Sequence, residues 1–379
     1  MEENREAYII TAVRTAIGSG KTTGALQPFA PVDLAARVMQ ASVASVGVAP
    51  GKIEDVIWGV VTQIADQGAN LARLALLKAG FPVHVPGVSL NRMCGSSQQA
   101  VHFAAQAILA GDMDLVVAGG TEMMSHQALG ADYPPDWPDV GHNLVHQGVS
   151  AEMMAEKWSL TRTELDEYAY NSHIKAGAAI QAGYFDTQIL PVELADGTQF
   201  KIDQGVRLPP DRERMSALKP VFKEDGVVTA GNASQVSDGT AALLVASQDA
   251  VGRYNLNPRA RILARAVVGA DPTLMLDGPI PATRLVLQKA GLTLDDMDVI
   301  EINEAFASVV LAWAKEFQPD MSKVNPNGGA IAHGHPLGAT GAVLMTKLLH
   351  ELERRKVRYG LQTMCIGHGM ATATIIERL

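Results

Sequence analysis

Cysteine is nearly absent from this chain. Its 379 residues include two, Cys94 and Cys365, far apart in sequence. That leaves no disulfide framework and no Cys-x-x-Cys zinc spacing. Aromatic residues make up 5% of the chain while glycine supplies 35 residues, a mix suited to a tightly packed α/β core. No apolar run approaches the ~18 residues of a membrane span. A net charge of −9 argues against general nucleic-acid binding, although a local basic cluster can still hold a phosphorylated ligand. The opening Met1-Glu2-Glu3-Asn4-Arg5-Glu6 is charged rather than signal-like, and Glu377-Arg378-Leu379 is not a Ser-Lys-Leu address. Together with the two remote thiols these features predict a reducing, cytoplasmic setting.

What is present is an alternation of strands and helices. Strands are predicted over 8–13, 56–61, 85–93, 115–118, 261–264, 299–302, 361–364 and 373–376. Helices are predicted over 32–46, 71–79, 98–109, 281–290, 305–317 and 339–355. Such a pattern indicates a largely buried sheet flanked by helices. The rhythm breaks over about 121–237, where Pro134-Pro135-Asp136-Trp137-Pro138 and Pro209-Pro210 mark loops around helical pieces at 150–158 and 164–177. This reads as a segment covering the core. The two halves echo each other: each has a Gly-rich turn feeding a small-residue helix, then a strand ending in glycines.

Both cysteines sit on glycine-flanked turns, Met93-Cys94-Gly95-Ser96-Ser97 and Met364-Cys365-Ile366-Gly367-His368-Gly369. A thiol on such a bend is presented to something, whereas an inert cysteine normally lies in an apolar run. Cys94 precedes a predicted helix, and the positive helix end is expected to lower its pKa below about 8.5, which suits a nucleophile. The alternative is a packing residue. Asn325 to Gly338 wraps glycines around His333 and His335; His335 is placed to accept the Cys94 proton or to donate to an oxyanion, or else fills a structural turn. His333 is either a supporting residue or solvent-facing. Asn303, at a strand–helix junction, is an N-cap or an amide that polarises a carbonyl, and Glu304 a dipole partner or a support. Cys365 is a second acid/base candidate of near-neutral pKa, and Gly367 offers an unobstructed backbone N–H. Arg207, Arg212, Arg214, Lys219 and Lys223 cluster near Gly231-Asn232-Ala233-Ser234. Such a cluster is a solvated face, or a phosphate site beside a cleft.

Taken together and in this order, the Cys94 turn, Asn303-Glu304-Ala305-Phe306, Gly334-His335-Pro336 and Cys365-Ile366-Gly367-His368-Gly369 resemble the thiolase family across the whole chain. The resemblance implies an α/β fold of two similar βαβαβαββ halves in a five-layer α-β-α-β-α core with an inserted loop domain. Residues 1–120 and 238–258 would form the first half, 121–237 the insertion that binds CoA, and 259–379 the second half. It implies thiolytic cleavage of 3-oxoacyl-CoA in fatty acid β-oxidation, a reversible Claisen condensation through an acyl-cysteine. Cys94 would carry the acyl group, His335 would take its proton, Cys365 would move protons to and from carbon and coenzyme A, Asn303 would hold a water, and Gly367 would supply an oxyanion-hole N–H. His146, Phe222, Ser234, Phe306 and Arg207 would contact coenzyme A, a co-substrate. No tightly bound cofactor and no metal is implied, and neither is a nucleic-acid or membrane partner. The assembly implied is a homodimer or homotetramer.

Departures from the pattern point to a degradative subgroup. Gln147 stands after His146 where many acetoacetyl-CoA thiolases have Met, and the stretch 125–146 is shorter than in the tetrameric biosynthetic enzymes. The rivals are a short-chain acetoacetyl-CoA thiolase working in synthesis, a decarboxylating β-ketoacyl synthase, which would not need Cys365, and a silent CoA- or lipid-binding relative, which would be expected to have lost a thiol or His335.

Overall fold

The computed structural model describes residues 5–136 and 138–379; Met1 to Asn4 and Trp137, named above, lie outside them. The first half runs β1 (Ala7–Thr15), β2 (Gly18–Ser19), α1 (Pro31–Ala44), β3 (Asp55–Gly59), α2 (Leu71–Lys78), β4 (Val88–Leu90), α3 (Ser96–Ala110) and β5 (Leu115–Met123). An intervening segment carries α4 (Gln147–Lys157), α5 (Arg162–Gln181), β6 (Ile189–Leu190), β7 (Val192–Glu193), β8 (Gln199–Phe200) and α6 (Arg212–Ser216). The chain then returns to the first half's sheet as β9 (Ser237–Ser247), followed by α7 (Gln248–Tyr254). The second half comprises β10 (Ala260–Gly269), α8 (Pro279–Ala290), β11 (Val299–Ile302), α9 (Ala307–Phe317), α10 (Ala330–His333), α11 (Thr340–Arg355), β12 (Tyr359–Ile366) and β13 (Met370–Arg378).

Strand order is β11-β12-β13-β10-β1-β9-β5-β3-β4, and the halves join where Tyr8 lies opposite Arg261 and Ile9 opposite Ala260. Period-two alternation decides which layer each side chain enters. In β9, Ala241, Leu243 and Val245 face a central core shared with α3 and α11, while Ala242, Leu244 and Ala246 face α1 and α2. In β13, Ala371, Ala373 and Ile375 pack with α8 and α9. The result is helix, sheet, paired central helices, sheet, helix. Among the described residues no helix is long and apolar enough to cross a membrane.

Several boundaries differ from the sequence reading. The predicted strand 85–93 is reduced to Val88–Leu90, because the chain must turn before Cys94: Met93 adopts φ +45°. Its counterpart in the second half is a single parallel bridge between Ile300 and Val324. Strand β5 continues through Gly119-Gly120 to Met123, beyond the expected start of the insertion, and α9 begins at Ala307 rather than 305. The long strand β9 went unrecognised, since its eleven residues are buried on both faces and show no alternation of polarity.

A seam of glycines brings the halves together. A Cβ on Gly59 would stand 2.8 Å from the Gly338 carbonyl oxygen, and one on Gly341 would overlap the Gln98 backbone. A Cβ on Gly120 would overlap that same Gly338 oxygen. Gly120→Ala is therefore expected to destabilise the fold by about 1–3 kcal/mol or more, read as a lower denaturation midpoint at unchanged slope. An unchanged midpoint would show that the seam yields freely.

Candidate active site

The Cys94 turn is built by its own polar neighbours. The Asn91 side-chain oxygen accepts from the Met93 N–H (2.7 Å), and the Ser96 hydroxyl accepts from the Arg92 N–H (2.9 Å) while donating to the Met93 carbonyl (2.6 Å). Cys94 packs with Val61, Met124, Leu337 and Met364, so both halves enclose it. The backbone N–H groups of Gly367 and of Cys94 itself are directed at its sulfur. Glu122 ties the surrounding loops together. Its buried carboxylate accepts from the backbone N–H groups of Val61 (2.9 Å), Thr62 (3.1 Å) and, in the other half, Gly338 (3.0 Å).

His335 is buried and its tautomer is fixed by the network around it. The Thr340 hydroxyl donates its only proton to the Pro336 carbonyl (2.8 Å), so it accepts from His335 Nδ1–H at 2.6 Å. Nε2 is left unprotonated and accepts from the Asn303 amide nitrogen at 3.3 Å. The Asn303 side-chain oxygen is buried with no hydrogen-bond partner among the described residues. Asn325 positions Asn303: its amide bonds both the N–H and the carbonyl of Ile302 at 2.9 Å, as a neighbouring strand would. Glu304 is a support. Its carboxylate accepts from Tyr168, Ser172, Asn325 and the Ile331 N–H, clamping α5 to the loop before His335. His333 is not solvent-facing; it is buried between Asp203 (2.7 Å) and the Asn327 carbonyl (2.9 Å), and Asp203 also holds Arg14.

The electrostatics correct the sequence reading of both thiols. Cys94 stands outside α3, which starts at Ser96, and burial pushes its thiol up to about 12; the Gly367 and Cys94 N–H groups pull the other way and the Glu122 carboxylate adds to the rise. Burial, then the nearby Cys94 charge, carries Cys365 well above the ordinary thiol range rather than near neutrality. Burial holds the His335 imidazole down, to about 4. Each shift favours the uncharged form, so the resting pair is thiol and neutral imidazole. The alkylation rate of Cys94 by iodoacetamide is accordingly expected to rise about tenfold per pH unit from pH 6 to 10 without levelling. A plateau near neutral pH, read by mass spectrometry, would reveal a thiolate–imidazolium pair instead.

Residues singled out in the sequence line two cavities. One of about 410 Å³ is lined by Leu129, Leu144, Val145 and Met275 together with Tyr133, His146, Gln147, Gly367 and His368. His146 caps α4 and stacks on Phe222 (5.2 Å, 26°), which meets Phe306 edge-on (6.0 Å, 82°). The other, about 300 Å³, is lined by Arg207, Arg214, Leu218, Gly231 and Gln235 among others. Ser234 lies between Gly231 and Gln235, its N–H donating to the Ala305 carbonyl (2.9 Å) beside Phe306. The basic cluster divides: Arg207 and Arg214 face this cavity, while Arg212 and Lys223 are surface ion pairs with Glu167 and Glu156. Sequence reasoning missed Glu122, Thr340 and Tyr133. Among the described residues no cluster of potential ligands suits a metal ion.

The N-terminal domain model of thiolases matches residues 7–249 and the C-terminal domain model matches 256–378. This chain belongs to the thiolase family. The steroid 3-ketoacyl-CoA thiolase FadA6 of Mycobacterium tuberculosis is 50% identical, with 99% of this chain and 94% of that protein aligned. A 3-ketoacyl-CoA thiolase of Vibrio parahaemolyticus is 42% identical over 99% of both chains. Among solved structures, the acetyl-CoA acetyltransferase of Bacillus anthracis superposes with a TM-score of 0.92 at 40% identity over the whole of both chains. Human mitochondrial 3-ketoacyl-CoA thiolase gives 0.91 at 38% identity over 99% of each. The thiolase fold anticipated from the motifs is thus the fold observed.

Proposed function

We propose that this thiolase cleaves 3-oxoacyl-CoA with coenzyme A, giving acetyl-CoA and a shortened acyl-CoA. The observation that carries the reading is the convergence at one sulfur: the Gly367 N–H points at Cys94, and Cys365, two residues earlier, feels the Cys94 charge. Unprotonated Nε2 of His335 takes the Cys94 proton as the sulfur attacks the 3-keto carbon. The Cys94 and Gly367 N–H groups hold the resulting alkoxide. The C2–C3 bond then breaks and its electrons pass to the thioester as an enolate. His335, now carrying a proton on Nε2, and a water on Asn303 stabilise that enolate oxygen. Cys365 protonates the carbon and acetyl-CoA departs. The Cys365 thiolate next deprotonates incoming coenzyme A, whose sulfur takes the acyl group from Cys94, and His335 returns the proton. Burial of Cys365 fits this role, because it keeps the proton in place until a carbanion forms.

Coenzyme A would lie along His146, Phe222, Phe306 and Ser234, with its phosphates toward Arg207, in a 121–237 segment that acts as the CoA-binding cover. The remaining halves, 1–120 with 238–258 and 259–379, would carry the chemistry. A homodimer or homotetramer in the cytoplasm, with no tightly bound cofactor, completes the proposal. Incubation with 3-oxoacyl-CoA of several chain lengths is expected to yield acetyl-CoA only when free coenzyme A is added; cleavage independent of coenzyme A would refute the reading. Likeness to the Bacillus anthracis acetyltransferase supports a second reading, a short-chain enzyme working in synthesis, for which acetoacetyl-CoA alone would be cleaved. A silent CoA-binding role is disfavoured by the retention of both thiols and of His335 with its tautomer pinned.

A further inference from the structure

We infer that His333 is a positioning residue for His335. Through Asp203 it passes the seating of coenzyme A against the 121–237 segment to the reaction base, so that the remote end of the substrate sets the rate at Cys94. The inference rests on the thiolase chemistry and the coenzyme A placement proposed above, and adds to them a link between the two sites.

Helix α10 has four residues, Ala330–His333, too few to hold their form or place by their own hydrogen bonds. Its position must come from its neighbours. Glu304 fixes the first turn through the Ile331 N–H (3.1 Å). His333 fixes the end. Its Nε2 faces the Asn327 carbonyl (2.9 Å), which only accepts, so that nitrogen carries a proton. Its Nδ1 stands 2.7 Å from the Asp203 carboxylate, in close contact but outside hydrogen-bond alignment. Asp203 is itself held fast: Arg14 takes both its oxygens (2.7 and 3.1 Å), and the Ile17 N–H donates to it (2.8 Å). Arg14, Asp203 and His333 are all buried, and the Phe185 ring touches both cation and imidazole, with Arg14 over it at 5.3 Å and His333 edge-on at 5.2 Å. Gly334 follows at φ +115°, so no side chain restrains the backbone between His333 and His335. The His335 N–H then depends on the Gln235 carbonyl (3.1 Å) and the Ser237 hydroxyl (3.2 Å). Gln235 reaches the other way as well. Its amide nitrogen lies within hydrogen-bond distance of the Gly205 (3.0 Å), Ile331 (2.9 Å) and Ala332 (3.1 Å) carbonyls. A Cβ on Gly205 would stand 2.7 Å from the Ala332 oxygen, so the loop 203–207 lies directly on α10. That loop ends at Arg207, whose N–H donates to His173 Nδ1 (3.2 Å) and which lines the 300 Å³ cavity with His173, Gln235 and Ile331. A ligand held at Arg207 and the base at Cys94 are therefore joined through one glutamine and one carboxylate–imidazole contact. Binding energy from a remote part of a substrate can be used to position the reacting groups, and it then appears in the rate. A misplacement of ~1 Å can cost ~10²-fold.

The test follows acetylation of Cys94 in the full-length protein by intact mass, with saturating acetyl-CoA or S-acetylpantetheine, the same thioester without the nucleotide. The rate constant reports positioning, and the amplitude counts folded sites. In the wild type the limiting rate with acetyl-CoA is expected to exceed that with S-acetylpantetheine by about tenfold or more. His333→Leu loses both polar contacts. It is expected to slow acetyl-CoA about tenfold and S-acetylpantetheine less than about threefold, so the two rates converge. His333→Gln keeps an N–H for one partner and is expected to fall between. It carries the same comparison if His333→Leu yields no amplitude. Equal limiting rates for the two thioesters in the wild type would overturn the inference. So would a variant that slows both by one factor, as a merely structural role predicts, or slows neither. A wild-type Cys94 that accepts no acetyl group from either thioester would instead remove the thiolase reading, and this inference with it.

Discussion

Cys94→Ala incubated with acetyl-CoA is expected to gain no mass and to lose thiolytic turnover by about 10⁴-fold or more. Cys365→Ala is expected to divide the reaction. It still gains one acetyl group from acetyl-CoA, because a coenzyme A thiolate, with a thiol pKa near 8.5, leaves without help from an acid. It fails to cleave 3-oxoacyl-CoA, because a carbanion leaving group needs the proton that buried Cys365 holds. The two thiols therefore have separable readouts, intact mass for one and carbon–carbon cleavage for the other. An acetylated Cys94→Ala protein, or a Cys365→Ala protein that cleaves normally, would contradict the assignment of roles.

Thr340→Val is expected to reduce kcat by about 10²-fold while leaving KM within a factor of about three. Valine keeps the shape but removes the oxygen that accepts Nδ1–H, so nothing holds the His335 proton on Nδ1 and keeps Nε2 ready to take one. In a hydrolytic triad the wrong imidazole tautomer costs as much as ~10⁴; the smaller figure reflects a neutral hydroxyl in place of a carboxylate. Thr340→Ser should restore activity, which a purely packing role for the methyl group would not allow. Equal kcat in Thr340→Val and wild type would show that another contact sets the tautomer.

The four motifs were legible because each requires unusual residues in consecutive positions: glycines where backbones touch, a proline locking His335, a cysteine on each turn. Their grouping could be read from type and order. Their electrostatics could not. A thiol before a helix suggests a lowered pKa, yet Cys94 has 4% of its surface exposed and lies outside α3; desolvation outweighs the helix end. The role of Glu122 was equally hidden, and that of Glu304 was open between a dipole partner and a support. Their partners, contributed by segments distant in sequence, close around each only in the folded chain. Likewise no strand is legible within 238–258, the piece assigned to the first half, because a strand such as β9 covered on both faces shows no polar alternation.

The order of residues alone determined the family, the α/β alternation and the set of candidate reacting groups, since these depend on local composition and spacing. Tertiary structure decided the protonation state of those groups, the tautomer of His335, and which side chains line the cavity beside Gly367. Those properties arise from burial and from hydrogen bonds between segments far apart in the chain, and no local stretch encodes either.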